Sequence, residues 1–234
     1  METRPLEEFQ QAIEIEFADQ GALERAFTHR SYLNEQTEDS ESRHNERLEF
    51  LGDAVLELVI TDFLYRRFPK EKEGILTAYR AALVNTESLA QSARELEMDE
   101  YLRMSKGERM DTQKGRQHIL ANTFEAVVGA IYISQGYDSA SDFVAKTLFD
   151  KIDPIIENKL FRDPKSYFQE QAQERERVTP HYELVGEEGP DHDKVFVMAV
   201  YLDTEEVARG KGPSKQKAET QAARNALEAR GWLG

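Results

Sequence analysis

Four carboxylates, Glu46, Glu49, Asp53 and Glu57, recur at i, i+3, i+7 and i+11. At about 100° per residue, that spacing gathers them into one narrow arc of a helix. A second pair, Asn122 and Glu125, sits three residues apart inside the apolar run His118–Ile133, with Gly129 a turn further along the same side. Carboxylates among apolar neighbours are costly unless a cation, a basic partner or an open cleft relieves them. If the two helix faces meet, Glu49, Asp53, Asn122 and Glu125 supply an all-oxygen cluster, the donor set that hard divalent cations such as Mg²⁺ or Mn²⁺ prefer. The same spacings also suit blander arrangements: a solvated acidic face, and a core glutamate bonded to an arginine.

The elements that must position these residues are mostly helical. Asn45 stands where an N-cap is expected, and Glu46 and Glu49 give an acidic first turn. Leu48, Phe50, Leu51, Ala54, Val55, Leu58 and Val59 then occupy most of the circumference, so the helix is expected to be buried nearly all round until Phe68-Pro69 stops it. Gly52 beside Asp53 costs helix propensity, which implies the close approach of another backbone or a ligand. Glu73, just before Gly74, is placed on a loop that presents it to the same cleft. Helices are also expected near the N-terminus (Leu6, Phe9 and Ile13 on one face), at Ala22–Phe27, Ile75–Val84, Thr86–Leu96 and Ser139–Asn158. Loops are expected at His29–Asn45, read as mobile, and at Tyr101–Gly115. No convincing strand is read before residue 155 or so.

Beyond Phe161-Arg-Asp-Pro164 the pattern changes. A helix at Ser166–Glu176 precedes strand-like runs at His181–Val185, Lys194–Leu202 and Glu205–Arg209, and a closing helix at Ser214–Arg230. The chain therefore reads as an all-α N-terminal domain (1–155), a linker (156–163) and a small α-β-β-β-α domain (164–234). Arg209, Lys211, Lys215 and Lys217 fall within nine residues without an acid, around a Gly-Pro loop that leads into a helix N-terminus. Backbone N–H groups, the positive end of the dipole and clustered lysines converge there, as a phosphate backbone requires. Ordinary solvated surface is the other reading of the same four residues.

The net charge of −15 argues against nucleic acid as a global partner, and dividing the 234 residues at Arg162 leaves an acidic excess on both sides. Any nucleic-acid surface must be local. Cysteine is absent, which removes disulfides, thiolate zinc sites and thiol nucleophiles and fits a reducing cytoplasm. The first residues are too acidic and polar for a signal peptide, and no apolar run has the length of a membrane span.

His44-Asn-Glu-Arg-Leu-Glu-Phe-Leu-Gly-Asp-Ala-Val-Leu56 resembles the signature of ribonuclease III. Ala26-Phe-Thr-His-Arg-Ser-Tyr-Leu-Asn-Glu35, Glu73-Gly-Ile-Leu-Thr77, Lys106-Gly-Glu108 and Ile119-Leu-Ala-Asn-Thr-Phe-Glu-Ala126 resemble that family as well, in its usual order. The tail is similar to a double-stranded RNA-binding domain through Phe168-Gln-Glu170, Gly189-Pro-Asp-His192 and Gly210-Lys-Gly-Pro-Ser-Lys-Gln-Lys-Ala-Glu219. The resemblance covers essentially the whole chain and suits the bacterial arrangement of one nuclease and one binding domain.

What the resemblance implies is a homodimeric, Mg²⁺-dependent endonuclease of double-stranded RNA, with Mn²⁺ as the alternative ion. In the family each subunit cuts one strand, leaving 5′-phosphate and 3′-hydroxyl ends, and targets include ribosomal RNA precursors. Glu49, Asp53, Asn122 and Glu125 match the metal positions, with Asp53 and Glu125 as the catalytic pair and Glu46 and Glu73 as accessory acids. Phe50 matches a residue at the dimer interface. Ser166 and Gln169 would reach one minor groove and the loop around His192 the next, with Lys211, Ser214, Lys215 and Lys217 on the phosphates between, a footprint of about 16 base pairs.

Two positions depart from the family pattern. Asn122 stands where Asp is usual, keeping an oxygen donor but losing a charge, so weaker metal binding is expected. Gln216 stands where Lys is common. The alternative function is thus a double-stranded RNA-binding protein whose nuclease is weakened or silent because of Asn122.

Overall fold

Phe9 and Phe27 meet edge to face at 4.9 Å, and Tyr101 closes on Phe9 at 5.4 Å, so residues far apart in sequence share one core in this computed structural model. The structure describes residues 3–17, 19–33, 43–109, 113–190 and 194–232. By internal contacts the chain divides into two compact units, 1–155 and 156–234.

The first unit is helical. In order come α1 (Leu6–Ile13), α2 (Gln20–Ala26), α3 (Arg30–Leu33), α4 (Glu46–Arg67), α5 (Glu73–Leu83), α6 (Thr86–Glu95), α7 (Lys106–Arg109) and α8 (Gln113–Leu148), and then α9 (Ile152–Glu157), which begins in this unit and ends two residues past its boundary. Short 3-10 turns cover Met98–Glu100 and Phe149–Lys151. Side-chain caps start several of them: Asp19 accepts from the Gly21 N–H and Asn85 from the Ser88 N–H. α8 continues where two helices were expected, but Gly136, at φ 82°, breaks its geometry between them. Leu56, Ile60, Phe124 and Val127 are fully buried, and α4 and α8 form the principal packing pair of the unit.

Several expectations are corrected. Part of the expected His29–Asn45 loop is α3, while residues 34–42 lie outside the described residues. The expected Tyr101–Gly115 loop holds α7, and Arg103 pairs through its backbone with Phe27 and His29, making an isolated parallel bridge to Thr28. Asn45 does not cap α4 with its side chain. Its backbone is already in the right-handed helical region, its N–H donates to the Thr28 carbonyl at 3.0 Å, and the side chain is buried. His44 Nδ1 instead accepts from the Glu46 N–H at 3.4 Å. α4 is also not buried all round: Phe50 is 81% exposed, Tyr65 71% and Leu58 57%. At helical spacing these side chains and exposed Ala54 form one stripe that no part of the described chain covers.

The second unit comprises α10 (Pro164–Arg175), β1 (His181–Glu188), β2 (Val195–Leu202), β3 (Glu205–Gly212) and α11 (Lys215–Ala229). Asp163 caps α10 through the Ser166 N–H, with Pro164 in the first turn, and Ser214 caps α11 through the Lys217 N–H. The strands form an antiparallel sheet in the order β1-β2-β3, with Tyr182 opposite Val200 and Gly210 opposite Met198. A bulge lies between Leu184 and Gly186. Phe168, Val200, Ala222, Ala226 and Trp232 make the core between sheet and helices. Both β1 and β3 run three residues further than the sequence pattern indicated. Among the described residues, no helix is long and apolar enough to cross a membrane.

Candidate functional site: an acidic helix crossing and a basic helix start

The acidic site depends on two missing side chains. A Cβ built on Gly52 of α4 would stand 1.8 Å from the carbonyl oxygen of Glu125, and one on Gly129 of α8 would stand 2.3 Å from the carbonyl oxygen of Leu48. The helices therefore touch backbone to backbone, which no residue larger than glycine permits at either position. The close approach inferred at Gly52 is that of the α8 backbone. Asp53 follows Gly52 directly and Glu49 lies one turn before it, while Asn122 and Glu125 lie on the facing turns of α8. The crossing thus brings the two sequence-predicted carboxylate sets together.

Their electrostatics follow from burial and from that proximity. The Glu125 carboxyl is pushed up to about 7 by burial first, then by the charges of Asp53 and Glu49. Glu49 is raised above the usual carboxylate range by burial and by the charges of Glu46 and Asp53, against which a hydrogen bond from Asn122 works in the opposite direction. Asp53 is raised by burial and by the charge of Glu57. Among the described residues no ion pair reaches Glu49, Asp53 or Glu125, so the blander alternative of an arginine-bonded core glutamate finds no partner for Glu125 there. Nor do three His, Asp or Glu groups close onto a common centre there. The carboxylates are near enough to repel one another. Three carboxylates with raised proton affinity, beside one amide, form an all-oxygen donor set that suits a hard divalent ion.

The accessory acids differ. Glu46, one turn before Glu49, lies 3.4 Å from Arg30 and 3.8 Å from His44. These two partners were missed from the sequence, although each lies within a stretch that carries the family resemblance. Glu73 is the first residue of α5 rather than part of a loop, and its carboxylate accepts from Thr77 Oγ1 at 3.0 Å. None of the charges that perturb Glu49, Asp53 or Glu125 comes from Glu73. Phe50 projects into solvent beside the acidic stripe.

In the second unit, Gly210 and Gly212 face α11: a Cβ on Gly210 would stand 2.1 Å from the Ala222 nitrogen, and one on Gly212 2.7 Å from the Ala218 nitrogen. Strand alternation then turns Arg209 and Lys211 to the opposite face of the sheet. There Lys211 Nζ lies 2.7 Å from Glu188, and Arg209 Nε lies 2.7 Å from Glu206. The expected four-residue basic cluster is therefore split. Lys215 and Lys217 stand exposed at the start of α11, without an ion pair among the described residues, and Ser214 is occupied as their helix cap. Ser166 and Gln169 of α10 share a cavity of about 330 Å³ with Tyr182, Gln216 and Thr220, which brings them to the same side as the first turn of α11. Lys165, also on that rim, pairs with Glu219 and lies over the Tyr182 ring at 4.9 Å. His192 lies outside the described residues.

Both units are similar to known proteins. Residues 19–152 match the family described as ribonuclease-III-like, and residues 164–229 match the double-stranded RNA binding motif. Ribonuclease 3 of Protochlamydia amoebophila is 44% identical over 211 residues, 90% of this chain and 86% of that protein. Ribonuclease 3 of Borreliella afzelii is 42% identical over 225 residues, 96% of this chain and 91% of that protein. The nuclease domain of ribonuclease III from Campylobacter jejuni superposes with a TM-score of 0.56 at 39% identity, covering 64% of this chain and all of that one. The acidic crossing of α4 and α8 lies within the first matched region and the basic start of α11 within the second: the chain belongs to the ribonuclease III family, as an endoribonuclease that carries its own double-stranded RNA-binding motif.

Proposed function

We propose that the chain cuts double-stranded RNA hydrolytically with Mg²⁺, or Mn²⁺ in its place, held by Glu49, Asp53, Asn122 and Glu125. The observation that carries this reading is the backbone contact of Gly52 with Glu125, which brings the acids of α4 and α8 together; burial first, and neighbouring carboxylates second, make Glu49, Asp53 and Glu125 hold their protons more tightly than usual. When bound, a divalent ion supplies an activated water for in-line attack and stabilises charge on the leaving 3′ oxygen. The protein's own residues do the rest. Glu125 and Asp53 present carboxylate oxygens from two helices whose spacing is fixed by backbone contact. Glu46, held by Arg30, extends the acidic edge by one turn. Products with 5′-phosphate and 3′-hydroxyl ends follow from attack on phosphorus with departure of the 3′ oxygen.

The second unit supplies the grip on the duplex, with Ser166 and Gln169 toward a minor groove and Lys215 and Lys217 on phosphates. Residues 1–155 act as the nuclease and 164–234 as the binding domain, joined through 156–163. The exposed stripe of Phe50, Leu58 and Tyr65 supports a homodimer. So does the Campylobacter jejuni nuclease domain, whose description refers to a region involved in dimer formation. Two copies would bring two acidic crossings to one duplex, one for each strand. Processing of ribosomal RNA precursors in the cytoplasm is the setting that this activity and a chain without cysteine suit.

Cleavage of an end-labelled RNA duplex in Mg²⁺, in Mn²⁺ and in EDTA tests the reading. Cutting that requires the ion and disappears in Glu125→Gln is the expected result. Binding without cutting, with activity appearing only in Asn122→Asp, would establish instead a binding protein with a silent nuclease.

A further inference from the structure

Another cavity of the second unit, of about 340 Å³, is walled by the chain just before α10, by Tyr167, and by Arg224, Leu227 and Glu228 of α11. It shares no residue with the cavity of Ser166 and Gln169. Lys159, Arg162 and Arg224 line it against one carboxylate, Glu228, in a chain whose net charge is −15. Lys159 has a φ of 51°, in the left-handed region, and the Arg162 N–H donates to the Lys159 carbonyl at 3.2 Å. That tight turn brings both cations to the same cavity. The half-buried Arg162 guanidinium lies over the Tyr167 ring, 4.3 Å from its centroid. The ring is itself buried, and its hydroxyl donates to the Trp232 carbonyl at 3.2 Å. Stacking uses the face of the guanidinium and leaves the N–H donors around its edge unspent. Among the described residues no ion pair reaches Arg162 or Arg224, and Asp163, next in the chain, is engaged as the cap of α10. An arginine fixed in direction with its donors free is pre-organised for an anion.

We infer that this cavity binds a phosphate monoester, with Arg162 as the fixed bidentate donor and Arg224 and Lys159 completing the charge. A duplex presents its phosphates as diesters along a convex surface, whereas a concave pocket of this size admits a free or terminal group. A monoester carries about two negative charges near neutral pH and three acceptor oxygens, which suits the excess of cations and the fork of Arg162. Its carrier is a free nucleotide or the 5′-phosphate end of an RNA strand. The site is separate from the acidic crossing and from the lysines at the start of α11.

The test is titration of the full chain, in EDTA, with adenosine monophosphate and with RNA duplexes that end in a 5′-phosphate or a 5′-hydroxyl. Binding of the nucleotide, or a preference for the 5′-phosphorylated duplex, is expected to weaken about tenfold in Arg162→Gln and in Arg224→Gln but to persist in Lys217→Ala. A duplex preference that vanishes with the arginines identifies an RNA end as the carrier; nucleotide binding without that preference identifies the free nucleotide. Arg224 is exposed, so Arg224→Gln decides the matter should Arg162→Gln loosen the Tyr167 packing, and an unchanged thermal transition shows that its fold is kept. A chain that neither binds the nucleotide nor prefers the 5′-phosphate overturns the site. So does phosphate binding that survives Arg224→Gln or is lost in Lys217→Ala.

Discussion

The nuclease unit and the RNA-binding unit solve one packing problem in the same way and reach opposite electrostatic results. In the first, Gly52 and Gly129 let two helices touch, and the contact forces acids on both helices into mutual range. In the second, Gly210 and Gly212 let β3 lie against α11, and the contact sorts the basic residues. Arg209 and Lys211 turn away and are neutralised by Glu206 and Glu188, while Lys215 and Lys217, at the start of a helix, have no ion pair among the described residues. Close approach stores repulsion in one unit and isolates a small positive patch in the other. A chain of net charge −15 can therefore hold a polyanion: attraction needs only a few cations aimed at phosphates, whatever the balance elsewhere.

The largest effect that would break this parallel comes from the glycines. Gly52→Ala places a methyl group 1.8 Å from a backbone oxygen, so the crossing must open. A loss of about 3 kcal/mol, a fall of about 10 °C in the nuclease transition and loss of cutting are expected by calorimetry and cleavage assay. Gly210→Ala should instead abolish duplex binding and leave the nuclease transition where it was. If Gly210→Ala lowered both transitions equally, the two contacts would not be independent.

A smaller and opposite effect is expected at Glu125. Its folded-state carboxyl is raised to about 7 from an ordinary 4.5, so the unfolded chain releases that proton first. The metal-free fold accordingly loses stability as pH rises from 4.5 through about 7 and is level above that range. Glu125→Gln should remove this slope and stabilise the metal-free nuclease unit at pH 8 by on the order of 1 kcal/mol, allowing for its partial exposure, while cutting is lost. Urea titrations in EDTA at pH 5 and pH 8 measure it. A variant less stable than the unaltered chain at pH 8 would mean that the glutamate is satisfied rather than strained.

The smallest effects sharpen the other half of the comparison. Lys217→Ala should weaken duplex binding and reduce the slope of log affinity against log salt by about 1. Lys211→Ala should leave that slope unchanged, because its charge is already paired with Glu188. Equal slopes for the two variants would show that RNA displaces Glu188 and recruits the sheet face.

The same particulars show what could be read from the residues alone. The acidic arc of α4 and the Asn122–Glu125 pair were legible because helical periodicity fixes which side chains share a face, and Gly52 signalled the contact that joins them. The order of helices and strands was legible for similar reasons, apart from ends and short elements. Lys211 was not. Counting charges along the chain places it with Lys215 and Lys217, but β3 runs on to Gly212 and alternation reverses the direction of every second side chain. The cap of α4 was equally hidden: Asn45 has the right side chain, yet its backbone is drawn inward by Thr28 and His44 takes the role. Periodicity alone could not tell the bare stripe through Phe50, Leu58 and Tyr65 from core, because an exposed apolar residue at helical spacing has the same pattern as a buried one; only the family resemblance set Phe50 apart.

The contact between α4 and α8 also acts as a mechanical stop. Packed side chains can change rotamer and let two helices drift by fractions of an ångström, whereas main-chain atoms at contact have no alternative conformer to adopt. The distance between the carboxylates of α4 and those of α8 is thereby insulated from the repacking of surrounding residues such as Phe124 or Val127. Substitutions there can alter how long the fold survives heat while leaving the gauge of the acidic crossing as it was.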